Sequence, residues 1–286
     1  MSSSDPAIIE TPDSAPDAVE AKKQGTDWWA ELKAIFWLIL AVLAFHSFIA
    51  KPFYIPSESM MPGLLKGDRL VVSKYPYGWS WVSPSFHILP QMQGRLFGRM
   101  PERGDIVILT PPGKTSDYIK RVIGLPGDTV QMVRGRLWLN GKPVRTVDRG
   151  YRRVQADANL PCSAYGRDAG PGTREGYCRL HVLTETLPGG RSYEVLDLYP
   201  TSQDDTEPYR VPAGHVFLLG DNRDNSADSR FPLTSGGLGG AVPVEAIGGR
   251  AELVTFSLRG EATWNPATWL ADFRTERSGV SLRPRK

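Results

Sequence analysis

Apolar and polar positions divide the chain into two regimes. Residues 34–50 (AIFWLILAVLAFHSFIA) carry no formal charge over seventeen positions. Trp28 and Trp29 precede them, and indole rings favour the boundary between lipid and water. The pattern predicts one apolar helix over 28–50, close to the short limit of about 17 residues for crossing a bilayer. A buried helix of a soluble domain and a cleavable signal peptide share this pattern. A cut after Ala50 would place Phe48 at the −3 position, where a cleavage site needs a small residue.

Beyond Lys51 the texture becomes that of strands. Short apolar or alternating runs at 68–74, 105–110, 118–123, 129–133, 137–139, 215–219 and 251–258 are bounded by turn signals such as Lys66-Gly67, Pro111-Pro112 and Asn140-Gly141. They predict a mainly β protein built of antiparallel sheets. Residues 148–210 are polar and turn-rich and read as a cap subdomain inserted between 51–147 and 211–260. The Ser-, Pro- and acid-rich residues 1–26 read as a disordered tail, and 261–286 as a C-terminal extension.

Composition narrows the classes. The net charge is only +3 over 286 residues, with no Lys/Arg run, so no nucleic-acid partner is expected. The four histidines, His46, His87, His181 and His215, stand in no motif-like setting. Cys162 and Cys178 lie 16 positions apart. They are either two independent thiols or one disulfide in an oxidising compartment. Lys22, Lys23 and Lys33 precede the apolar run, and Lys51, Lys66 and Arg69 follow it. The positive-inside rule therefore assigns no orientation.

Four segments concentrate candidate chemistry. Ile55-Pro-Ser-Glu-Ser-Met-Met-Pro62 sets Ser57 and Ser59 two apart between prolines, where serine is by default a turn former. Gly67-Asp68-Arg69 is a turn entering a strand. In the segment 117–128 (DYIKRVIGLPGD), Lys120 falls within an apolar strand. Such a lysine ordinarily belongs to a solvated face. Held in apolar surroundings its charged form is disfavoured, and reaching a pKa of roughly 7–8 corresponds to about 4 kcal/mol. Finally, 220–230 (GDNRDNSADSR) packs Asp221, Asn222, Arg223, Ser226, Asp228 and Arg230 behind an apolar run. A calcium loop would need glycine where Ser226 stands, so Asp–Arg pairs locking a sharp loop are the better reading, and no metal is expected.

Together these blocks resemble the type I signal peptidase (leader peptidase) family of Ser–Lys serine proteases. The matching blocks are 55–62, 67–78 (GDRLVVSKYPYG), 103–128 and 220–230. The resemblance implies a partly open, β-barrel-like catalytic domain formed by 51–147 and 211–260, with the cap inserted. By residue-wise carry-over it implies Ser59 as nucleophile and Lys120 as general base. Ser57 would share the oxyanion hole with the Ser59 N–H, and Ser226 would orient the lysine. Asp228 and Arg230 would form an ion pair behind the site. Ile55, Met60, Leu64 and Ile119 would line the apolar substrate pockets. No cofactor is implied.

The implied substrates are secretory preproteins with small residues at −1 and −3. The implied setting is a monomer anchored in the bilayer of a bacterial inner membrane by one span, with residues 1–26 cytoplasmic and the catalytic domain on the periplasmic side. Ser59 lies nine residues past Ala50, a tether of at most roughly 30 Å, which suits a substrate cut beside its apolar segment. The chain departs from the family where Glu58 replaces the frequent glycine and Gly63 the frequent threonine. Segments 79–102 and 148–210 match no family block. A conjugation-pilin or mitochondrial processing peptidase, and a non-catalytic tethered binding domain, are the alternatives.

Overall fold

The computed structural model describes residues 27–86, 89–162, 166–168, 176–260 and 272–284. The expected tail 1–26 and much of the expected extension 261–286 lie outside them. Two compact units divide the chain, 1–40 and 41–286.

Helix α1 (Trp28–Phe48) has 21 residues and a mean hydropathy of 1.7, long and apolar enough to cross a membrane by length and composition. It stops short of position 50 because Ala50 already opens strand β1 (Ala50–Tyr54), which pairs with β2 (Asp68–Ser73). Strands β3 (Ile106–Leu109) and β4 (Tyr118–Gly124) follow. Next come β5 (Thr129–Val133), β6 (Arg136–Leu139) and β7 (Lys142–Pro143), joined by tight turns. Arg134-Gly135 and Asn140-Gly141 take positive φ at both central residues, the conformation that matches the twist of a two-residue hairpin.

The segment expected as an inserted cap, 148–210, carries most of β8 (Arg145–Gln155) together with β9 (Gly166–Asp168), β10 (Tyr177–Thr186) and β11 (Ser192–Leu196). The chain closes with β12 (Tyr209–Arg210), β13 (His215–Leu219), β14 (Val242–Pro243) and β15 (Ile247–Ser257). Strand β15 starts before the expected position 251. Gly249 permits this, because a Cβ there would lie 2.5 Å from the Ser73 carbonyl oxygen on β2.

The expected mainly β, antiparallel class holds. The largest sheet has seven strands in the order β1-β2-β15-β3-β4-β13-β14, and the two smaller sheets run β11-β10-β8, with β9 on β10, and β12-β5-β6-β7. Strand β4 lies inside the large sheet with all of 119–124 buried. That explains its nearly continuous apolar sequence and isolates Lys120 and Arg121 within it.

Segment 148–210 belongs to the same unit as the large sheet. Its apolar residues Leu180, Val182 and Leu196 pack in one cluster with Met61 and Leu65, just past Ser59. A disulfide joins Cys162 to Cys178 within that cluster. Residues 272–284 pack back on the domain instead of trailing from it. Leu282 is buried beside Ile55 and Ile106, Arg274 pairs with Asp157 at 2.5 Å, and Arg277 pairs with Asp68.

Candidate active site

Ser59 sits in a buried turn between β1 and β2. The turn is closed by the Met61 N–H on the Glu58 carbonyl (3.1 Å) and the Leu64 N–H on the Met60 carbonyl (2.9 Å). Ile55, Met60 and Leu64 are almost fully buried and share one apolar cluster with Ile119, Ile106 and Ile108. The four residues expected to line substrate pockets are thus contiguous.

Lys120 enters from β4, opposite Val107 of β3. Its amine lies 3.1 Å from Ser59 Oγ and donates to the Ile119 carbonyl at 3.0 Å. The Tyr118 ring centroid is 5.6 Å away, on the same face of the strand. Burial lowers the Lys120 pKa to about 8, with Asp228 and Asp221 opposing that shift and Arg230 adding to it. Ser57 Oγ lies 3.3 Å from Ser59 Oγ in a part-buried contact, although Ser57 as a residue is exposed. Residues 61 positions apart in sequence are therefore within hydrogen-bond reach, with a lysine poised near neutrality.

The 220–230 loop holds the Ser59 turn from behind. The Asn222 N–H donates to the Ser59 carbonyl and its side-chain amide to the Glu58 carbonyl, each at 3.1 Å. Asn225 reaches the Glu58 carboxylate at 3.2 Å. At Gly220 a Cβ would collide with Ser226 Oγ and stand 2.6 Å from the Ser59 carbonyl oxygen. Only glycine fits between the two loops.

Three Asp/Glu–Arg pairs stiffen this loop. Arg230 grips Asp228 through two contacts of 2.9 Å and donates to the Arg223 carbonyl at 2.6 Å. Arg121 grips Asp221 at 2.7 and 2.6 Å. Arg223 grips Glu185 of β10 at 2.6 Å twice. Removing one partner of such a buried pair strands the other charge.

Ser226 differs from expectation. It is buried near the site, yet its hydroxyl has no hydrogen-bond partner among the described residues, and the lysine amine is held by Ser59 and the Ile119 carbonyl instead. Arg121, Glu185, Tyr193 and Gly220 were not singled out from the sequence. Arg121 had a visible signal, a second cation beside Lys120 in an apolar strand. Glu185 had none, since a charge in the alternating run 177–186 ordinarily faces water.

A family model for signal peptidase, peptidase S26, matches residues 28–256. The chain belongs to the signal peptidase family, peptidase S26. Signal peptidase I of Rickettsia typhi is 36% identical over 243 residues, covering 82% of this chain and 81% of that protein. Signal peptidase I of Rickettsia massiliae is 35% identical over 263 residues, covering 89% and 87%. A crystal structure of a signal peptidase I from Enterococcus faecalis aligns with 53% of this chain and 97% of that one at 25% identity, with a TM-score of 0.26. Family membership makes the chain a serine endopeptidase concerned with signal peptide processing.

Proposed function

We propose that the chain removes N-terminal signal peptides from secretory preproteins through a Ser59–Lys120 acyl-enzyme mechanism. The observation that carries this reading is the 3.1 Å contact between the Lys120 amine and Ser59 Oγ, with a lysine pKa of about 8. A serine hydroxyl needs a neighbouring base before it attacks. Neutral Lys120 takes the Ser59 proton as Oγ adds to the scissile carbonyl, then returns it to the leaving amine. It next activates the water that releases the acyl group.

The Ser59 N–H and the Ser57 hydroxyl face the developing oxyanion. Loss of one such donor costs roughly 3–4 kcal/mol of barrier. The apolar cluster of Ile55, Met60, Leu64 and Ile119 supports pockets for small −1 and −3 side chains. Helix α1 anchors the protein in a bacterial inner membrane as a single pass, with the catalytic domain outside the cytoplasm and working as a monomer. The name signal peptidase I carried by the relatives favours secretory preproteins over pilin precursors. A preprotein panel with the −1 and −3 residues varied tests this. Cleavage should require small residues at both positions, and indifference to them would contradict the assignment.

A further inference from the structure

Glu185 lies outside the four sequence blocks 55–62, 67–78, 103–128 and 220–230, on β10, yet it is nearly fully buried. Its carboxylate takes both terminal nitrogens of Arg223 at 2.6 Å and the Tyr193 hydroxyl at 2.6 Å. From there two routes lead to the site.

The first runs through Arg223. Its guanidinium also donates to the Gly220 carbonyl at 3.2 Å, and its N–H to the Leu196 carbonyl at 3.0 Å. The residue before it, Asn222, supplies the two bonds that hold the Glu58 and Ser59 carbonyls. The second runs through Tyr193. Its ring centroid lies 4.2 Å from the Arg121 guanidinium carbon, and Arg121 follows Lys120 in β4. Arg121 in turn clamps Asp221, which precedes Asn222. The β11 strand completes the link, because the Leu196 N–H donates to the Asp221 carbonyl at 2.9 Å.

We infer that Glu185 is a positioning residue for the peptidase reaction, and that the β11-β10-β8 sheet serves as a buttress that sets the spacing of Ser59 and Lys120. Glu185 touches neither reacting group. It fixes Arg223, hence Asn222 and the Ser59 turn, and it fixes the Tyr193 ring against which the Arg121 end of β4 rests. Two positive guanidiniums, Arg121 and Arg223, face two carboxylates, Asp221 and Glu185, so the group is balanced in charge. A displacement of about 1 Å at a reacting atom can cost about a hundred-fold in rate. The inference rests on the Ser59–Lys120 reading.

The test uses the full-length chain in detergent with a preprotein substrate. Wild type, Glu185→Gln, Glu185→Asp, Tyr193→Phe, Ser59→Ala and Lys120→Ala are compared, with thermal unfolding followed for each. For Glu185→Gln the expected result is a kcat lower by about ten- to a hundred-fold at a temperature well below its melting point. KM should stay within about two-fold, and Glu185→Asp should regain part of the loss. Tyr193→Phe keeps the ring on Arg121 and loses only the hydroxyl bond, so a loss of a few-fold in kcat is expected.

A folded Glu185→Gln enzyme with wild-type kcat, or one whose defect lies wholly in KM, overturns the inference. If Glu185→Gln does not fold, Tyr193→Phe decides, and an unchanged kcat there overturns it equally. Activity surviving in Ser59→Ala or Lys120→Ala indicts the dyad itself and separates that failure from a misplaced role for Glu185.

Discussion

The backbone N–H of Asn222 donates to the carbonyl of Ser59 at 3.1 Å, tying the 220–230 loop to the proposed nucleophile. The same asparagine holds the Glu58 carbonyl through its side chain. Asn222→Ala keeps the first bond and loses the second. Removal of a hydrogen bond of this kind is worth about 1 kcal/mol, so kcat should fall by roughly five- to ten-fold with KM little changed. Steady-state kinetics on a preprotein checks this. A variant impaired only in KM would assign Asn222 to substrate binding.

Gly220 is the closest approach between the two loops. Gly220→Ala forces a methyl group against Ser226 Oγ and the Ser59 carbonyl. Overpacking of this type destabilises by about 1–3 kcal/mol, and the displaced turn should lose most activity. Gly220→Ala combined with Ser226→Gly removes the nearer obstacle and should recover part of both. Melting temperature and cleavage rate of the single and double variants test it.

Glu58 places a carboxylate next to Ser59, but it points to Asn225 at 3.2 Å. The pair is half-exposed at Glu58 and exposed at Asn225, where such contacts are worth little. Glu58→Gln should therefore leave kcat within about three-fold of wild type and leave its pH profile in place. A shifted profile would show that the carboxylate acts on Lys120 directly.

Lys120 carries a cost in stability. Its pKa falls from 10.5 in the unfolded chain to about 8 in the fold. Between those values the unfolded state binds more protons, so stability rises with pH through this window; below pH 8 the full penalty stands. A shift of that size corresponds to roughly 3 kcal/mol. Lys120→Met should be more stable than wild type at pH 7 by up to that amount, and the gain should shrink from pH 8 upward and vanish near 10.5. Lys74, also lowered to about 8 by burial and by Lys51, contributes equally to both proteins and cancels. Denaturant unfolding at several pH values measures the difference. An equally stable Lys120→Met would mean that the amine is not desolvated as the fold indicates.

Much of the fold was legible because local rules governed it. Asn140-Gly141 announced a hairpin turn, and the run 105–110, closed by Pro111-Pro112, read as a strand. The extent of β15 was not legible, since Gly249 looks like a break until β2 is seen against it. Ser59 and Lys120 were legible as a pair only through the order of their blocks, because each residue in isolation reads as a turn former or a solvated lysine. The part played by Glu185 was hidden for a different reason. A buried charge is recognisable from its partner, and Arg223 stands 38 positions away.

The cleavage rate of a preprotein as a function of pH, measured by single turnover for wild type, Ser59→Ala and Lys120→Ala, tests the central claim most directly. Wild-type rate should rise about ten-fold per pH unit below the lysine pKa and level off near pH 8, because only neutral Lys120 accepts the Ser59 proton. Both variants should lose at least about a thousand-fold at every pH. A Lys120→Ala enzyme that cleaves within ten-fold of wild type, or a wild-type profile flat from pH 6 to 10, would contradict a lysine base.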